Sequence, residues 1–274
     1  MRLVLVKTKV LVIGCGNMGG ALAAGYRRRH PAAEILGIDR DPARAASLLH
    51  ADVAIDLVAS PAEAAGFVPD LVLLALKPQL LGDALPALLP LCAGALVVSI
   101  AAGVPSARLR ELLGSHARLV RAMPNLPAMV GEGMTTLFAA GLDARDRALA
   151  EDLFAAVGDT AWLDDEALID AATAVAGSGP AYFFALVEHL AAAGVAEGLP
   201  PALAKRLARR TCIGAAALLA ADPRPAAALK AAVCSPRGTT EAGLAAMEGE
   251  GALPRVVAAG VAAAHRRAIE LAAA

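Results

Sequence analysis

The stretch that decides the fold is Lys9–Gly25, KVLVIGCGNMGGALAAG. A short, β-branched apolar run leads straight into Gly14, Gly16 and Gly19, spaced GxGxxG, and an alanine-rich segment follows. This reads as strand, glycine turn and helix. In that setting Gly14 permits the tight turn, Gly16 lets an anion approach the backbone, and Gly19 lets the helix pack closely on the strand. Asn17 and Met18 open the helix, where free N–H groups favour a diphosphate. A dinucleotide is therefore expected at Gly14, Gly16, Asn17, Met18 and Gly19. The competing reading is a βα turn with no ligand, but alanine would serve a mere turn with less backbone entropy to lose.

Working outward, Asp39 stands twenty residues beyond Gly19, at the end of the next strand-like run. An acid there accepts hydrogen bonds from the adenosine ribose hydroxyls and repels a 2′-phosphate. Arg40 and Arg44 follow, and guanidinium groups at that place suit a 2′-phosphate, though they also read as a solvated helix face. These residues leave NAD and NADP both open. Further on, DLVLLALKP, ALVVSIAAG, RLVRAMPN and GMTTLFAA alternate with helical segments. The pattern predicts an α/β, Rossmann-type, doubly wound and mostly parallel sheet. After Trp162 the strand signal stops and helical patterns run to the end. The expected division is a nucleotide-binding domain over 1–165 and an all-α domain over 166–274.

Composition narrows the function. The net charge of −1 and the 3% aromatic content argue against a nucleic-acid partner. The mean hydropathy of +0.59 raises the question of a membrane. The stretch to test is Ala84–Ala107, which has no formal charge but contains Pro86, Pro90, Gly94, Gly103 and Pro105. Those residues would break a spanning helix, so no membrane is expected. The four cysteines, Cys15, Cys92, Cys212 and Cys234, and the histidines at 30, 50, 116, 189 and 265 are scattered without zinc-ligand spacing. Neither a disulfide framework nor a metal is expected. The start, MRLVLVKTKVLVIG, runs into a strand without a cleavage-site pattern, and the expected location is the cytoplasm.

A second helix entrance lies at Val233–Glu248, VCSPRGTTEAGLAAME. Pro236 restrains the turn, Gly238 is free to take an unusual backbone angle, and Thr239 and Thr240 begin a new helix. Its N–H groups form either an anion cradle or an ordinary cap with spare hydroxyls. Here the motifs become specific. LKAAVCSPRGTTEAGL resembles the C-terminal signature of the pyrroline-5-carboxylate reductases, V-x-S-P-G-G-T-T-x-A-G-L, and Pro225, Leu229 and Val233 match its lead-in. IGCGNMGGAL, LALKPQ, SIAAGV, RAMPNLPAMVGEGMT and GSGPAYFFALVEHL agree with the same family in order, from residue 9 to about 248.

The resemblance implies reduction of the C=N bond of 1-pyrroline-5-carboxylate with NAD(P)H to give L-proline, the last step of proline biosynthesis. It implies a homodimer interlaced through the helical domain, and leaves open whether dimers gather into a decamer. It also implies site roles. Ser235, Gly238 and Thr239 would hold the substrate carboxylate, and Thr240 would be the catalytic hydroxyl facing the ring nitrogen. Met123 and Asn125, with Pro124 between them, would wall the substrate pocket. Ala75, Lys77 and Pro78 after one strand, and Ala101 and Gly103 after the next, would meet the cofactor where ligands bind such sheets. GSGP, 177–180, reads first as a packing kink. Two departures stand out. Arg237 replaces a glycine of the signature, and either strains a positive-φ position or adds charge beside the carboxylate. Ala176 replaces a common serine. The alternatives are another imine or β-hydroxyacid oxidoreductase of the same plan, with Lys205 as its nominal acid/base, and a non-catalytic NAD(P)-binding sensor.

Overall fold

The computed structural model describes residues 7–49 and 53–273; residues 1–6 of the initial strand-like run, and His50, lie outside them. In chain order come β1 (Lys9–Ile13), α1 (Asn17–Arg29), β2 (Glu34–Ile38), α2 (Pro42–Leu48), β3 (Asp56–Val58), β4 (Leu71–Leu74), α3 (Leu81–Cys92), β5 (Leu96–Ser99), α4 (Ser106–Leu113), β6 (Arg118–Met123), β7 (Gly133–Phe138), α5 (Ala144–Ala155), β8 (Gly158–Trp162) and α6 (Leu168–Ala172). The helices α7 (Gly179–Ala196), α8 (Pro201–Ala221), α9 (Ala226–Val233), α10 (Thr239–Glu248) and α11 (Ala252–Ala273) complete the described chain. Two compact units result: Met1–Gly177 with His265–Ala274, and Ser178–Ala264. Position 165/166 falls just before α6, inside the first unit.

The first unit is built on one sheet in the order β3-β2-β1-β4-β5-β6-β7-β8. Every neighbouring pair is parallel except β6 and β7. The central strands β1, β4 and β5 are near-continuous apolar runs because helices cover both faces. Alternate residues serve opposite layers. Val10, Val12, Leu71, Leu73, Leu96 and Val98 pack with Leu22 and Tyr26 of α1 and Phe154 of α5. Leu11, Ile13, Val72, Leu74 and Val97 pack with Leu85 and Leu88 of α3 and Leu109 of α4. Strand order reverses between β1 and β4, and ligands bind beyond the strand ends at such a reversal.

Two edge strands depart from expectation. β3 was not foreseen because DLV is only three residues long and half exposed. β8 was not foreseen because GDTAW carries no buried residue; it is held by parallel pairing to β7 instead. The stretch Ala84–Ala107 resolves into most of α3, which contains both prolines, a turn, and the buried β5. By length and composition a different stretch, Leu168–Ala196, could cross a membrane, with a mean hydropathy of 1.2 and little of it buried.

The second unit is all helical among its described residues. α7 and α8 approach through small side chains: a Cβ at Gly194 would lie 3.5 Å from that of Ala204. Its buried apolar residues, Ala191, Ala204, Ala208 and Leu229, are few. Phe183 and Phe184 are each 61% exposed, with Leu186 and Leu190 open beside them on α7. An apolar face of this kind is an interaction surface rather than a solvent surface.

Candidate active site

Gly14 leaves β1 at φ +92°, and its N–H donates to the Ile38 carbonyl at 2.9 Å. A Cβ there would stand 2.6 Å from the Ala75 carbonyl oxygen. Gly16 is the N-cap residue of α1, and no side chain caps the helix. A Cβ on Gly16 would meet nothing within 4 Å, so the loop is open where an anion would approach. Gly19 is needed for a different reason: its Cβ would fall 2.0 Å from the Gly14 carbonyl oxygen and 3.0 Å from the Ala75 Cβ. Asn17, Met18 and Gly19 thus lie in the uncapped first turn of a helix whose positive end faces outward. By contrast, α2 and α5 are capped by the Asp41 and Asp143 carboxylates.

Asp39 lies where expected, but it has a structural task as well. Its Oδ2 accepts from the Cys15 N–H at 2.9 Å, and its Oδ1 from the Asp41 N–H at 3.0 Å. The carboxylate therefore ties the glycine loop to the start of α2, while each oxygen keeps a further acceptor position. Arg40 and Arg44 are exposed beside it. Cys15 is fully buried, and burial, reinforced by the Asp39 charge, pushes its thiol up to about 12. It is a packing residue and no nucleophile.

Beyond β4, Ala75 donates its N–H to Ile13 at 2.8 Å and backs both Gly14 and Gly19. Lys77 is exposed ahead of a tight 3₁₀ turn that begins at Pro78. Beyond β5, Ala101 is buried, while Gly103 takes φ +73° with the Leu271 carbonyl oxygen 3.1 Å from its Cβ position. Packing against the end of α11 thus accounts for glycine at 103. Ala101, Gly103, Arg121, Met123, Asp170 and Thr173 line a cavity of about 40 Å³.

Arg121 was not singled out from the sequence, although a charge inside the apolar run LVRAM was a signal of a buried pair. Its side chain is 6% exposed and lies 2.9 Å from Glu166 Oε1 and 3.7 Å from Asp170 Oδ1. Glu166 also accepts the Ser106 N–H at 2.7 Å, so one network joins β6, α4 and the start of α6. Asn125, expected as a pocket wall, is buried and engaged: Nδ2 donates to the Ala176 carbonyl at 3.0 Å, and Oδ1 accepts from the Met134 N–H at 2.9 Å. It clasps the wide π-type turn Thr173–Gly177 that follows α6. A Cβ on Gly177 would be 3.4 Å from Met123 Cε, which supports the reading of GSGP as a packing kink.

In the second unit, the loop between α9 and α10 places Ser235, Arg237, Gly238, Thr239 and Thr240 together. Gly238 is the N-cap of α10, again with no side-chain cap. Expectation allowed an unusual backbone angle at Gly238 and a strained positive φ at Arg237. The structure has the second and not the first: Gly238 is at φ −84° and ψ 171°, and the left-handed angle, φ 59°, falls on Arg237. That conformation costs a non-glycine residue about 1–2 kcal/mol. Space favours glycine at 238, since a Cβ there would lie 2.9 Å from the Ser235 carbonyl oxygen and displace Ser235 Oγ, 2.3 Å away. The Arg237 N–H donates to Glu241 Oε2 at 2.5 Å, bracing the turn. Lys205 is exposed on α8, a solvated position that gives no support to an acid/base role.

Comparison with known proteins agrees along the whole chain. Residues 166–271 match the family model for pyrroline-5-carboxylate reductase dimerisation, and residues 9–103 match that for coenzyme F420-dependent NADP oxidoreductases. A pyrroline-5-carboxylate reductase of Pseudomonas aeruginosa is 42% identical over 267 residues, 96% of this chain and 97% of that protein. One from Haemophilus influenzae is 37% identical over 88% of this chain and 89% of its own. The pyrroline-5-carboxylate reductase structure from Coxiella burnetii superposes with a TM-score of 0.88 at 31% identity, covering 97% of this chain and 98% of that one. The Plasmodium falciparum pyrroline carboxylate reductase with NADP bound gives 0.79 at 28% identity, with the same coverage. The glycine loop, the uncapped threonine-rich helix start and this end-to-end similarity lead to one conclusion: the chain belongs to the pyrroline-5-carboxylate reductase family, oxidoreductases that reduce a ring C=N bond.

Proposed function

We propose that the protein reduces 1-pyrroline-5-carboxylate to L-proline with NADPH, using two bare helix starts as its anion-binding elements. The observation that carries this reading is that α1 and α10 begin at glycines, Gly16 and Gly238, with no side-chain cap; α3, α4, α6, α7, α8 and α9 are uncapped as well, but each begins at a residue with a side chain. A bare helix start leaves N–H groups and a positive dipole end for a ligand anion. Gly14, Gly16, Asn17, Met18 and Gly19 would hold the diphosphate, with Ala75, Lys77, Pro78, Ala101 and Gly103 along the cofactor edge. Asp39 would accept from the adenosine ribose. Arg40 and Arg44 would pair with a 2′-phosphate and offset its repulsion by Asp39, in keeping with the NADP bound to the Plasmodium falciparum relative. The open space at Gly16 fits such a cofactor. When bound, the nicotinamide supplies the hydride.

At the second start, the Thr239 N–H and the Ser235 hydroxyl would hold the substrate carboxylate, with Gly238, whose own N–H donates to the Ser235 carbonyl at 2.9 Å, leaving room for it. The Thr240 hydroxyl would accept a hydrogen bond from the protonated ring nitrogen and orient its C=N carbon. A protonated imine is already electrophilic, so this chain needs no strong general base. Its contribution is orientation, which lowers such barriers by roughly 7–11 kcal/mol at best. Met123 would wall the pocket, while Asn125 would act through the turn that it clasps. The exposed Phe183, Phe184, Leu186 and Leu190 face, within the region matched by the dimerisation model, supports a homodimer.

The test is NADPH absorbance with purified protein. Oxidation is expected with 1-pyrroline-5-carboxylate, and none without it. Activity on 3-hydroxyisobutyrate and none on the imine would overturn the reading in favour of a β-hydroxyacid enzyme; nucleotide binding without turnover of either would favour a sensor. Thr240→Ala should lower kcat and leave NADPH affinity in place.

A further inference from the structure

Arg237 occupies the one residue of the Ser235–Thr240 loop that adopts a left-handed backbone. Its conformation favours glycine, yet the chain has arginine there, while the glycine beside it sits in an ordinary extended conformation. Strained backbone of this kind clusters at active sites and ligand clamps. The Arg237 side chain is exposed, and among the described residues it is in no ion pair. The nearby Glu241 carboxylate is held by the Arg237 backbone N–H, and Lys230 is already paired with Glu248 at 2.7 Å. Among the described residues the guanidinium is thus in no ion pair, in a loop that also carries the Glu241 carboxylate and whose other anion-binding groups are N–H dipoles and hydroxyls.

We propose that Arg237 is a specificity-determining residue of the carboxylate cradle: its guanidinium adds a full positive charge there and selects ring imines that carry a carboxylate over ring imines that do not. The inference rests on reading this loop as the carboxylate site. A guanidinium contributes charge-assisted hydrogen bonds to a carboxylate, and at an exposed site its effect is screened by salt.

The experiment compares the full-length wild type, Arg237→Gly and Arg237→Lys on 1-pyrroline-5-carboxylate and on unsubstituted 1-pyrroline, at low and high salt. Arg237→Gly should raise KM for the carboxylated imine roughly five- to tenfold at low salt and change kcat less than about twofold. It should flatten the dependence of KM on salt, reduce the preference over 1-pyrroline by the same factor, and melt higher because the strain is relieved. Arg237→Lys should keep most of the salt dependence. Wild-type KM, salt dependence and preference in Arg237→Gly would overturn the proposal while leaving the reaction intact. A wild type that binds NADPH but does not consume it with 1-pyrroline-5-carboxylate would instead overturn the reading of the reaction, and this inference with it.

Discussion

Gly19→Ala and Gly20→Ala add the same methyl group to adjacent residues of α1, and the structure gives them opposite outcomes. At Gly19 the new Cβ would lie 2.0 Å from the Gly14 carbonyl oxygen, so the helix start and the loop must separate by about 1 Å or more to reach ordinary contact. Overpacking of this kind costs about 1–3 kcal/mol, against a helix-propensity gain of about 1 kcal/mol. The net, a loss of about 0–2 kcal/mol, corresponds to a Tm lower by at most roughly 8 °C for a chain of this size. The larger effect is functional: a shift of about 1 Å in a positioning element lowers the rate about 100-fold. At Gly20 the nearest atoms would be Cys15 O at 3.5 Å and Leu49 Cδ2 at 3.6 Å, which are normal contacts. Gly20→Ala should therefore stabilise by about 0.4–1 kcal/mol and leave catalysis unchanged. Calorimetry, a fluorescence titration with NADPH and kcat/KM measured on all three proteins decide the matter. A Gly19→Ala variant with wild-type NADPH affinity and turnover, or a Gly20→Ala variant as damaged as Gly19→Ala, would refute the close-approach explanation of the third glycine.

Gly238→Ala should push Ser235 Oγ aside and raise KM for the imine while the NADPH Kd stays put; equal losses in both would show a general unfolding of the helical unit. Arg121→Met leaves the Glu166 and Asp170 carboxylates without their cation and should cost about 3 kcal/mol in urea unfolding, less if solvent reaches Glu166, and no loss would mean that the network contributes nothing to stability. Burial holds the Cys15 thiol at about 12 and the Cys92 thiol at about 11, against 9.0 when free. Because both folded values are raised, the stability that they contribute is complete below pH 9 and is lost as pH climbs towards 11 and 12. Denaturation midpoints between about pH 8 and 10.5 should accordingly fall more steeply for wild type than for Cys15→Ala/Cys92→Ala; parallel curves would contradict the assignment.

The sheet was legible where burial on both faces imposes an uninterrupted apolar run, as in β1, β4 and β5. It was illegible at the edges, where β3 is only three residues long, neither β3 nor β8 buries a residue, and both are held by backbone pairing that no residue pattern announces. The glycine loop was readable because three separate physical demands act within six residues. Arg121 and Asn125 were harder, since their partners lie 45 and 51 residues away and a local pattern carries no trace of them. The left-handed angle stayed open between Arg237 and Gly238, because two neighbouring residues satisfy the same turn; the crowding that favours glycine at 238, a Cβ position 2.9 Å from the Ser235 carbonyl oxygen, appears only in the fold.

The carboxylate of Asp39 has a consequence for redesign. Cofactor swaps in such folds commonly begin by replacing the acid at the end of the second strand, yet here that acid also latches the backbone of Cys15 to Asp41. Neutralising it would loosen the diphosphate loop together with the ribose contact, and a poor result would be misread as the wrong nucleotide preference. A change of preference in this protein is better sought at Arg40 and Arg44, whose side chains are exposed and make no ion pair among the described residues.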